Sequence, residues 1–107
     1  MAKPLPLNTE ELQALRAKVP AWHIDDQGHS MRRVFEFKDF VQAFAFMTQV
    51  ARLAQQQDHH PHWTHVYATV EVVLSTHEVG ALTLRDQTLA LDMDQVWGPF
   101  STSIQTV

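Results

Sequence analysis

The stretch that decides the fold is DFVQAFAFMTQVARLAQQQ, residues 39–57. It contains no glycine or proline, and its apolar residues recur every three or four positions, as on one face of an α-helix. These residues are Phe40, Phe44, Met47, Val50 or Ala51, and Ala54, with Phe46 and Leu53 widening the stripe. The pattern predicts a long helix that Asp39 caps and that ends near Gln57. We expect the stripe to pack in the core, and its width could also serve a helix contact between subunits.

On the carboxyl side of this helix, Pro61 breaks the helical pattern. Residues 65–76 are rich in Val, Thr, Tyr and Leu, which predicts either one bent strand or a hairpin that turns around residues 68–69. Thr83 is expected to cap a last helix, and Gly98-Pro99 is expected to end it.

On the amino side, residues 9–19 carry apolar residues at helical spacing, with Thr9 as the expected N-cap. Two short strands are expected around residues 22–25 and 31–37, and the turn residues between them predict a hairpin. The predicted element order is α-β-β-α-β-β-α. This is an α+β architecture in which helices cover an antiparallel sheet.

The composition is that of one globular domain. A chain of 107 residues with 45% hydrophobic content can build a single core, so we expect one domain over residues 1–107, with residues 1–8 and 98–107 as loose ends. The net charge of −4 and the scattered Lys and Arg residues argue against a nucleic-acid-binding protein. The absence of cysteine excludes disulfides and thiolate chemistry. No apolar run approaches the ~20 residues that cross a bilayer, and residues 1–6 lack the apolar core of a signal peptide, so we expect a cytoplasmic protein without membrane contact.

The unusual feature is a cluster of histidines, because the chain has seven and five of them lie between His59 and His77. An isolated histidine usually has a structural role, but here two adjacent histidines are followed by Pro61 and Trp63 in one short loop. A metal site is a second interpretation, since imidazole is a common ligand. Against a metal, the chain offers no cysteine and no helical His-Glu-x-x-His arrangement.

Metal-free acid–base catalysis is the third interpretation of the cluster. An unperturbed imidazole titrates near pH ~6.5, so close to neutrality one ring can hold a proton that another ring lacks. Two rings in different surroundings can therefore divide the taking and the giving of a proton. Asp58, Glu78 and Asp86 are candidate partners that would fix a tautomer. No G-x-S-x-G sequence or glycine-rich phosphate loop competes, but spacing alone leaves both the metal and the acid–base interpretations open.

Several segments, in the same order along the chain, resemble the pterin-4a-carbinolamine dehydratase family. They are RVFEFKDF (33–40), AFAFM (43–47) and VA (50–51), then DHHPHW (58–63) and VY (66–67), then LSTHE (74–78), Gly80, LT (82–83) and Asp86. The similarity spans about residues 9–96. It implies an α+β subunit with a four-stranded antiparallel sheet and three helices packed on one face, assembled as a homodimer or homotetramer.

The resemblance also implies the reaction, which is the loss of water from a 4a-hydroxytetrahydropterin to give a quinonoid dihydropterin. In the family this step recycles the tetrahydrobiopterin cofactor of aromatic amino-acid hydroxylases, and it requires no metal and no cofactor of its own. A base that takes a ring N–H proton and an acid that protonates the departing hydroxyl suffice.

Position by position, His59, His60 and His77 match the active-site histidines of the family. The resemblance implies that His60 and His77 handle protons, while His59 binds or polarises the pterin. The expected substrate-binding or supporting residues are Trp22, Asp58, Pro61, Thr76, Glu78 and Asp86. His62 and His65 are expected to be bystanders.

The chain departs from the family pattern at two positions near the site. Gln55 stands where many members have a glutamate, and Ala68 stands where an asparagine is usual. Loss of the glutamate could alter substrate orientation or rate without removing the proton-transfer groups. The alternative function is a non-catalytic binding or assembly partner on the same fold, but the intact set of three histidines favours catalysis.

Overall fold

Three helices and four strands alternate along the chain in the predicted order, which confirms the α+β class. The computed structural model describes residues 3–105. Its elements are α1 (Thr9–Lys18), β1 (His23–Ile24), β2 (Met31–Glu36), α2 (Phe40–Gln57), β3 (His62–Val66), β4 (Thr69–Leu74) and α3 (Leu84–Gln105). Within the described range, no helix is both long and apolar enough to cross a lipid bilayer.

The four strands form one antiparallel sheet in the order β1-β2-β4-β3. Side chains of a strand alternate between the two faces of a sheet, so one face can be buried while the other is open. The buried face of the two central strands consists of Met31, Phe35, Val70, Val72 and Leu74. It faces the helices and forms the core, whereas Arg32 and Val34 on the opposite face are exposed. The hairpin between β3 and β4 turns at residues 67–68, which selects the hairpin over the single bent strand.

Helix α2 begins and ends where the sequence predicts. The Asp39 carboxylate accepts a hydrogen bond from the Gln42 backbone N–H at 2.9 Å, which is an N-cap. At the other end Asp58 adopts a left-handed conformation with φ of 49°. The Asp58 N–H donates to Gln55 O, and the next N–H, that of His59, donates to Ala54 O. These two bonds form a Schellman motif, which turns the chain sharply and fixes the position of the His59 backbone relative to α2.

The face of α2 that packs in the core differs from the predicted stripe. Its buried residues are Ala43, Phe46, Val50 and Ala54, whereas Phe40 is 49% and Phe44 is 55% exposed. The prediction is therefore wrong for Phe40 and Phe44. The helix is rotated so that Phe46 fills the core, and the two exposed rings stack with each other at 6.1 Å between centroids.

Helix α3 continues through Pro99 to Gln105, so the predicted end at Gly98-Pro99 is wrong. A proline inside a helix removes one hydrogen bond and typically costs ~3 kcal/mol. Packing offsets this cost, because the Phe100 ring lies edge-on to Phe37 at 5.6 Å between centroids and to Phe46 at 6.3 Å. The predicted loose end is thus helical over residues 98–105.

The amino-terminal arm lacks helix and strand but is attached to the domain. The Leu7 N–H donates to Leu82 O at 2.9 Å, and the Leu7 side chain packs against the core. Asn8, not Thr9, is the N-cap of α1, because Asn8 and Glu11 exchange two side chain–backbone hydrogen bonds in a capping box. Of the two predicted loose ends, residues 1–2 and 106–107 lie outside the described range.

Candidate active site

A shallow cleft of about 200 Å³ lies between the carboxyl end of α2 and the loop that leads into α3. Its lining residues are Asp58, His59, His60, Ser75, Thr76, His77, Glu78 and Arg85. The structure therefore brings together His59, His60 and His77, although 17 positions separate the last two along the chain (77 minus 60). His62 and His65 are not among the lining residues.

A buried polar network forms the floor of the cleft. His59 is 7% exposed and Asp86 is fully buried, and the His59 Nε2 atom lies 2.6 Å from Asp86 Oδ1. The second carboxylate oxygen of Asp86 accepts from the Thr76 hydroxyl at 2.7 Å and from the Thr83 backbone N–H at 2.9 Å. The Thr76 and Thr83 hydroxyls lie 2.8 Å apart. Each buried polar group named here therefore has a partner, as a stable interior requires.

This network determines which ring nitrogen of His59 is free. As a carboxylate, Asp86 can only accept hydrogen bonds, so the His59 Nε2 atom must carry the proton that it shares with Asp86. The Thr76 hydroxyl donates its hydrogen to Asp86, so in the hydrogen bond between the two threonines the Thr83 hydroxyl is the donor and the Thr76 oxygen is the acceptor. The Nδ1 atom of His59 is then the ring nitrogen left for a ligand in the cleft.

Local sequence explains why the floor forms. Thr83 and Asp86 are three residues apart at the start of α3, the spacing of a capping box, and the Asp86 carboxylate accepts from the Thr83 N–H accordingly. The Thr83 hydroxyl in turn accepts from the Arg85 N–H at 3.2 Å. The same carboxylate that caps the helix thus also holds His59.

His77 is carried by a tight turn above this floor. Thr76 pairs with Ala81 in an isolated antiparallel bridge, and the residues between them form the turn. Gly80 closes it with a φ of 63°, a left-handed conformation that glycine adopts without strain. The result is a pinned loop that projects the exposed His77 side chain at the mouth of the cleft.

The rim of the cleft is exposed and less constrained than the floor. His60 is exposed, and its Nε2 atom donates to Gln55 Oε1 at 3.1 Å. Within the described range, the His77 ring makes no side-chain hydrogen bond or ion pair, while Glu78 and Arg85 form an ion pair at 2.9 Å. Two solvent-accessible imidazoles thus flank a third one that is buried and fixed, an arrangement suited to proton transfer.

Two of the expected substrate-binding residues are not brought to the cleft. Trp22 is 5% exposed, its indole N–H donates to Asp94 Oδ1 at 2.8 Å, and its ring meets Phe35 edge-on at 5.9 Å between centroids. Trp22 is therefore a core residue in this subunit. Pro61 precedes β3 and is not a lining residue, whereas Asp58, Thr76 and Glu78 do line the cleft and Asp86 lies beneath it.

Sequence reasoning missed three contributors to the site. Ser75 and Arg85 line the cleft, and Thr83 belongs to the floor rather than being a helix cap alone. The Thr83-x-x-Asp86 spacing was the available signal, because in a capping box the acid three residues after the cap accepts from the backbone N–H of the cap residue. For Ser75, whose hydroxyl donates to His29 O at 2.7 Å, no signal existed.

The part of the chain that the structure describes contains no group of three His, Asp or Glu side chains spaced to hold a metal ion. Two imidazole nitrogens of the cleft have side-chain partners, since the His59 Nε2 atom faces Asp86 and the His60 Nε2 atom faces Gln55.

Comparison with known proteins identifies the family. Residues 5–96 match the family model described as pterin 4 alpha carbinolamine dehydratase. A protein of Afipia carboxidovorans, provisionally named pterin-4-alpha-carbinolamine dehydratase, is 44% identical over 94 residues, which cover 88% of this chain and 94% of that protein. A protein of Prochlorococcus marinus strain AS9601 with the same provisional name is 42% identical over 95 residues, covering 89% and 97%.

Solved structures agree with these sequence relatives. The crystal structure of a transcriptional coactivator/pterin dehydratase from Brucella melitensis superposes with a TM-score of 0.83 at 35% identity, over 88% of this chain and 100% of that chain. A pterin dehydratase-like RuBisCO assembly factor of the alpha-carboxysome superposes with a TM-score of 0.63 at 19% identity, over 73% and 90%, which shows a shared fold. The chain belongs to the pterin-4a-carbinolamine dehydratase family.

Proposed function

We propose that this protein is a dehydratase that removes water from a 4a-hydroxytetrahydropterin and releases the quinonoid dihydropterin. The observation that carries the proposal is that three histidines line one cleft in two different environments, one buried and two exposed. His59 is held by the buried Asp86, while His60 and His77 are exposed at the rim. A reaction that needs one fixed binding group and two proton carriers matches this division.

In the proposed reaction, one rim histidine takes a proton from a ring nitrogen and the other gives a proton to the hydroxyl on carbon 4a. The bond between that carbon and the hydroxyl oxygen breaks, water leaves, and the electron pair of the N–H bond becomes the new double bond. His60 and His77 are the proton carriers, and each positioned acid or base is worth typically ~10²–10⁴-fold in rate. Solvent restores the two protonation states, since both rings are exposed.

His59 has a different role in this proposal, which is to bind and polarise the pterin through Nδ1. Its Nε2 proton is committed to Asp86, so the ring keeps one orientation and one tautomer. Thr76 is 2% exposed and donates to Asp86, so it acts by positioning that carboxylate rather than by touching the pterin. Asp58 and Glu78 at the rim supply further polar contacts, and Pro61 shapes the loop that carries His60.

The direct test is to generate 4a-hydroxytetrahydropterin in solution and to follow its dehydration by ultraviolet absorbance with and without the protein. We expect wild-type protein to accelerate the reaction over buffer, in the presence or absence of a chelator. A rate equal to that of buffer would refute the enzyme. Near-stoichiometric zinc in the purified protein, together with loss of activity on chelation, would refute the metal-free mechanism and favour the histidine metal site.

We also propose that the subunit assembles with itself as a homodimer or homotetramer, and that it works beside an aromatic amino-acid hydroxylase in the cytoplasm. Exposed apolar side chains support self-association, because large exposed apolar groups often mark contact surfaces. They are Phe40, Val41 and Phe44 on α2, and Val66 and Tyr67 at the end of β3. Strand β3 is also an unpaired edge of the sheet. Sedimentation velocity would distinguish a monomer from either assembly.

The same exposed apolar side chains favour a second candidate, a non-catalytic partner that binds another protein. The two candidates separate in the dehydration assay, since a pure binding partner would give the rate of buffer. They separate again in histidine variants, because binding through α2 would not respond to His77→Ala.

A further inference from the structure

A second groove of about 410 Å³ lies beside the histidine cleft. Its walls include Pro4, Leu5, Pro6 and Leu7 of the amino-terminal arm, and Leu84 and Arg85 at the start of α3. We propose that this groove binds a neutral, largely apolar substituent carried on carbon 6 of the pterin ring. The inference rests on the proposed dehydratase function and adds a specificity-determining subsite to it.

The wall formed by the arm is held in place. The Leu7 N–H donates to Leu82 O just before α3, and Asn8 is fixed by the capping box of α1. Pro4 and Pro6 each restrict one backbone dihedral, which lowers the entropy lost when the arm is ordered. The groove is therefore a formed feature between two anchored segments.

The groove exposes apolar side chains that pack against nothing in the core. Leu5 is 81% exposed and Leu84 is 60% exposed. Both belong to the eight large hydrophobic residues that are exposed in the part of the chain described. Small-molecule sites are lined mainly by apolar side chains with a few polar groups, and the two leucines together with Arg85 fit that pattern.

Arg85 connects the groove to the cleft, because it lines both. Its guanidinium is held by Glu78 at 2.9 Å, and Glu78 lines the cleft. The groove and the cleft therefore share Arg85 as a common wall residue. Carbon 6 of a pterin is bonded to the ring nitrogen that is itself bonded to carbon 4a, so a substituent on carbon 6 must leave the cleft close to the reacting atoms.

The charges around the groove favour a neutral substituent over an ionic one. The positive charge of Arg85 is already matched by Glu78, and the only carboxylate lining the groove, Glu11, is occupied in the capping box with Asn8. A charged substituent would find no free counter-ion among these lining residues. An alkyl or aryl group would cover Leu5 and Leu84 and remove their surface from water.

The test compares two substrates, 4a-hydroxy-6-methyltetrahydropterin and its 6-butyl analogue, on wild-type protein and on Leu5→Ser and Leu84→Ser variants. One buried methylene is worth about fourfold in binding. We expect each variant to raise KM for the butyl substrate about fivefold, with kcat unchanged and with the methyl substrate within about twofold of wild type. The matched control is Val34→Ser, because Val34 is 39% exposed on β2 and neither lines the groove nor belongs to the proposed self-association surface.

Two results would overturn the inference. No dehydration of either substrate by wild-type protein would remove the proposed function and the subsite with it. Equal KM changes for both substrates, or none, would show that the substituent does not enter the groove, although the protein is a dehydratase. In that second case, altered sedimentation of Leu84→Ser would assign the groove to a contact with a second copy of the chain.

Discussion

The floor and the rim of the histidine cleft are built from similar residue types in opposite environments. The floor consists of His59, Thr76, Thr83 and Asp86, and each of these residues is less than a tenth exposed. The rim consists of His60, His77, Glu78 and Arg85, all of which are partly or fully exposed. On the floor, Asp86 accepts three hydrogen bonds, whereas on the rim a single ion pair joins Glu78 to Arg85.

This difference separates two requirements of acid–base catalysis. A group that orients the substrate benefits from burial, since a fully satisfied polar network has one arrangement. A group that takes and gives protons benefits from solvent, which restores its protonation state after each turnover. Substitutions on the floor should therefore change the free energy of unfolding and the orientation of His59. Substitutions on the rim should change kcat.

The largest effect is expected from His60→Ala and His77→Ala. Each removes a proposed proton carrier, so kcat should fall about 10²-fold or more. Neither ring is buried, so the free energy of unfolding should stay within about 0.5 kcal/mol of wild type. Steady-state ultraviolet assays and urea unfolding measure the two quantities. His62→Ala is the control, because His62 is exposed on β3 and outside the cleft.

A retained kcat in both variants would refute the role of the rim histidines as proton carriers. Equal losses of kcat in His62→Ala and His77→Ala would also contradict that role, since a general loss of order in this part of the protein would explain both.

The next effect is expected on the floor, from Asp86→Ala. The change leaves the His59 ring, the Thr76 hydroxyl and the Thr83 N–H without their acceptor in a buried place. One unsatisfied buried group costs about 1–3 kcal/mol, so the free energy of unfolding should fall by about 3 kcal/mol. Urea unfolding measures it. The matched control is Glu78→Ala, which removes an exposed ion pair and should cost less than about 1 kcal/mol.

If Asp86→Ala and Glu78→Ala destabilise the protein equally, the floor is not the rigid part of the site. If Asp86→Ala instead leaves stability unchanged, water replaces the carboxylate, and His59 is oriented by something other than Asp86.

A smaller effect is expected from Trp22→Phe. The indole N–H donates to Asp94, which also accepts from Arg33 at 2.7 Å, so the substitution loses one hydrogen bond within a part-buried pair of charges. We expect a loss of about 1 kcal/mol in the free energy of unfolding and no change in KM. A raised KM with unchanged stability would instead return Trp22 to the substrate site, for example by way of a neighbouring subunit.

The elements of the fold followed from local signals, and the errors arose where tertiary packing decided. The Asp39 cap is read from a few neighbouring residues and was predicted, and the turn near Ala68 was one of the two alternatives that the local sequence allowed. The length of α3 was not predicted. Pro99 is a local signal for the end of a helix, but the packing of Phe100 against the distant Phe37 overrides it. The buried face of α2 was also mispredicted. A large aromatic side chain such as Phe40 suggests burial, but the smaller Ala43 occupies the core.

The histidines of the candidate site could be predicted from the sequence, whereas several of the residues around them could not. The resemblance selected His59, His60 and His77 out of a denser cluster, and the structure brings these three together. Arg85 could not be predicted, because its place on the cleft depends on how α3 starts relative to the loop that carries Glu78. That is a long-range arrangement with no periodic or motif signal in the chain.

The smallest effect is expected from Gln55→Glu, which gives the rim the glutamate that many family members have. Gln55 Oε1 accepts from the His60 ring at 3.1 Å, so a carboxylate there would make this hydrogen bond charge-assisted and hold the ring more firmly. For an exposed pair the gain is less than about 1 kcal/mol, so kcat should change by less than about fivefold, with the free energy of unfolding unchanged. Steady-state ultraviolet assays and urea unfolding measure the two quantities.

The control for this change is Gln56→Glu, which adds the same charge one position along α2, at a residue whose side chain makes no hydrogen bond to the His60 ring in the part of the chain described. Equal changes of kcat in both variants would mean that net charge, rather than the contact with His60, sets the rate. An unchanged kcat in Gln55→Glu would mean that the hydrogen bond from the His60 ring to residue 55 does not limit the rate, so the positioning of His60 would depend on the turn that ends α2.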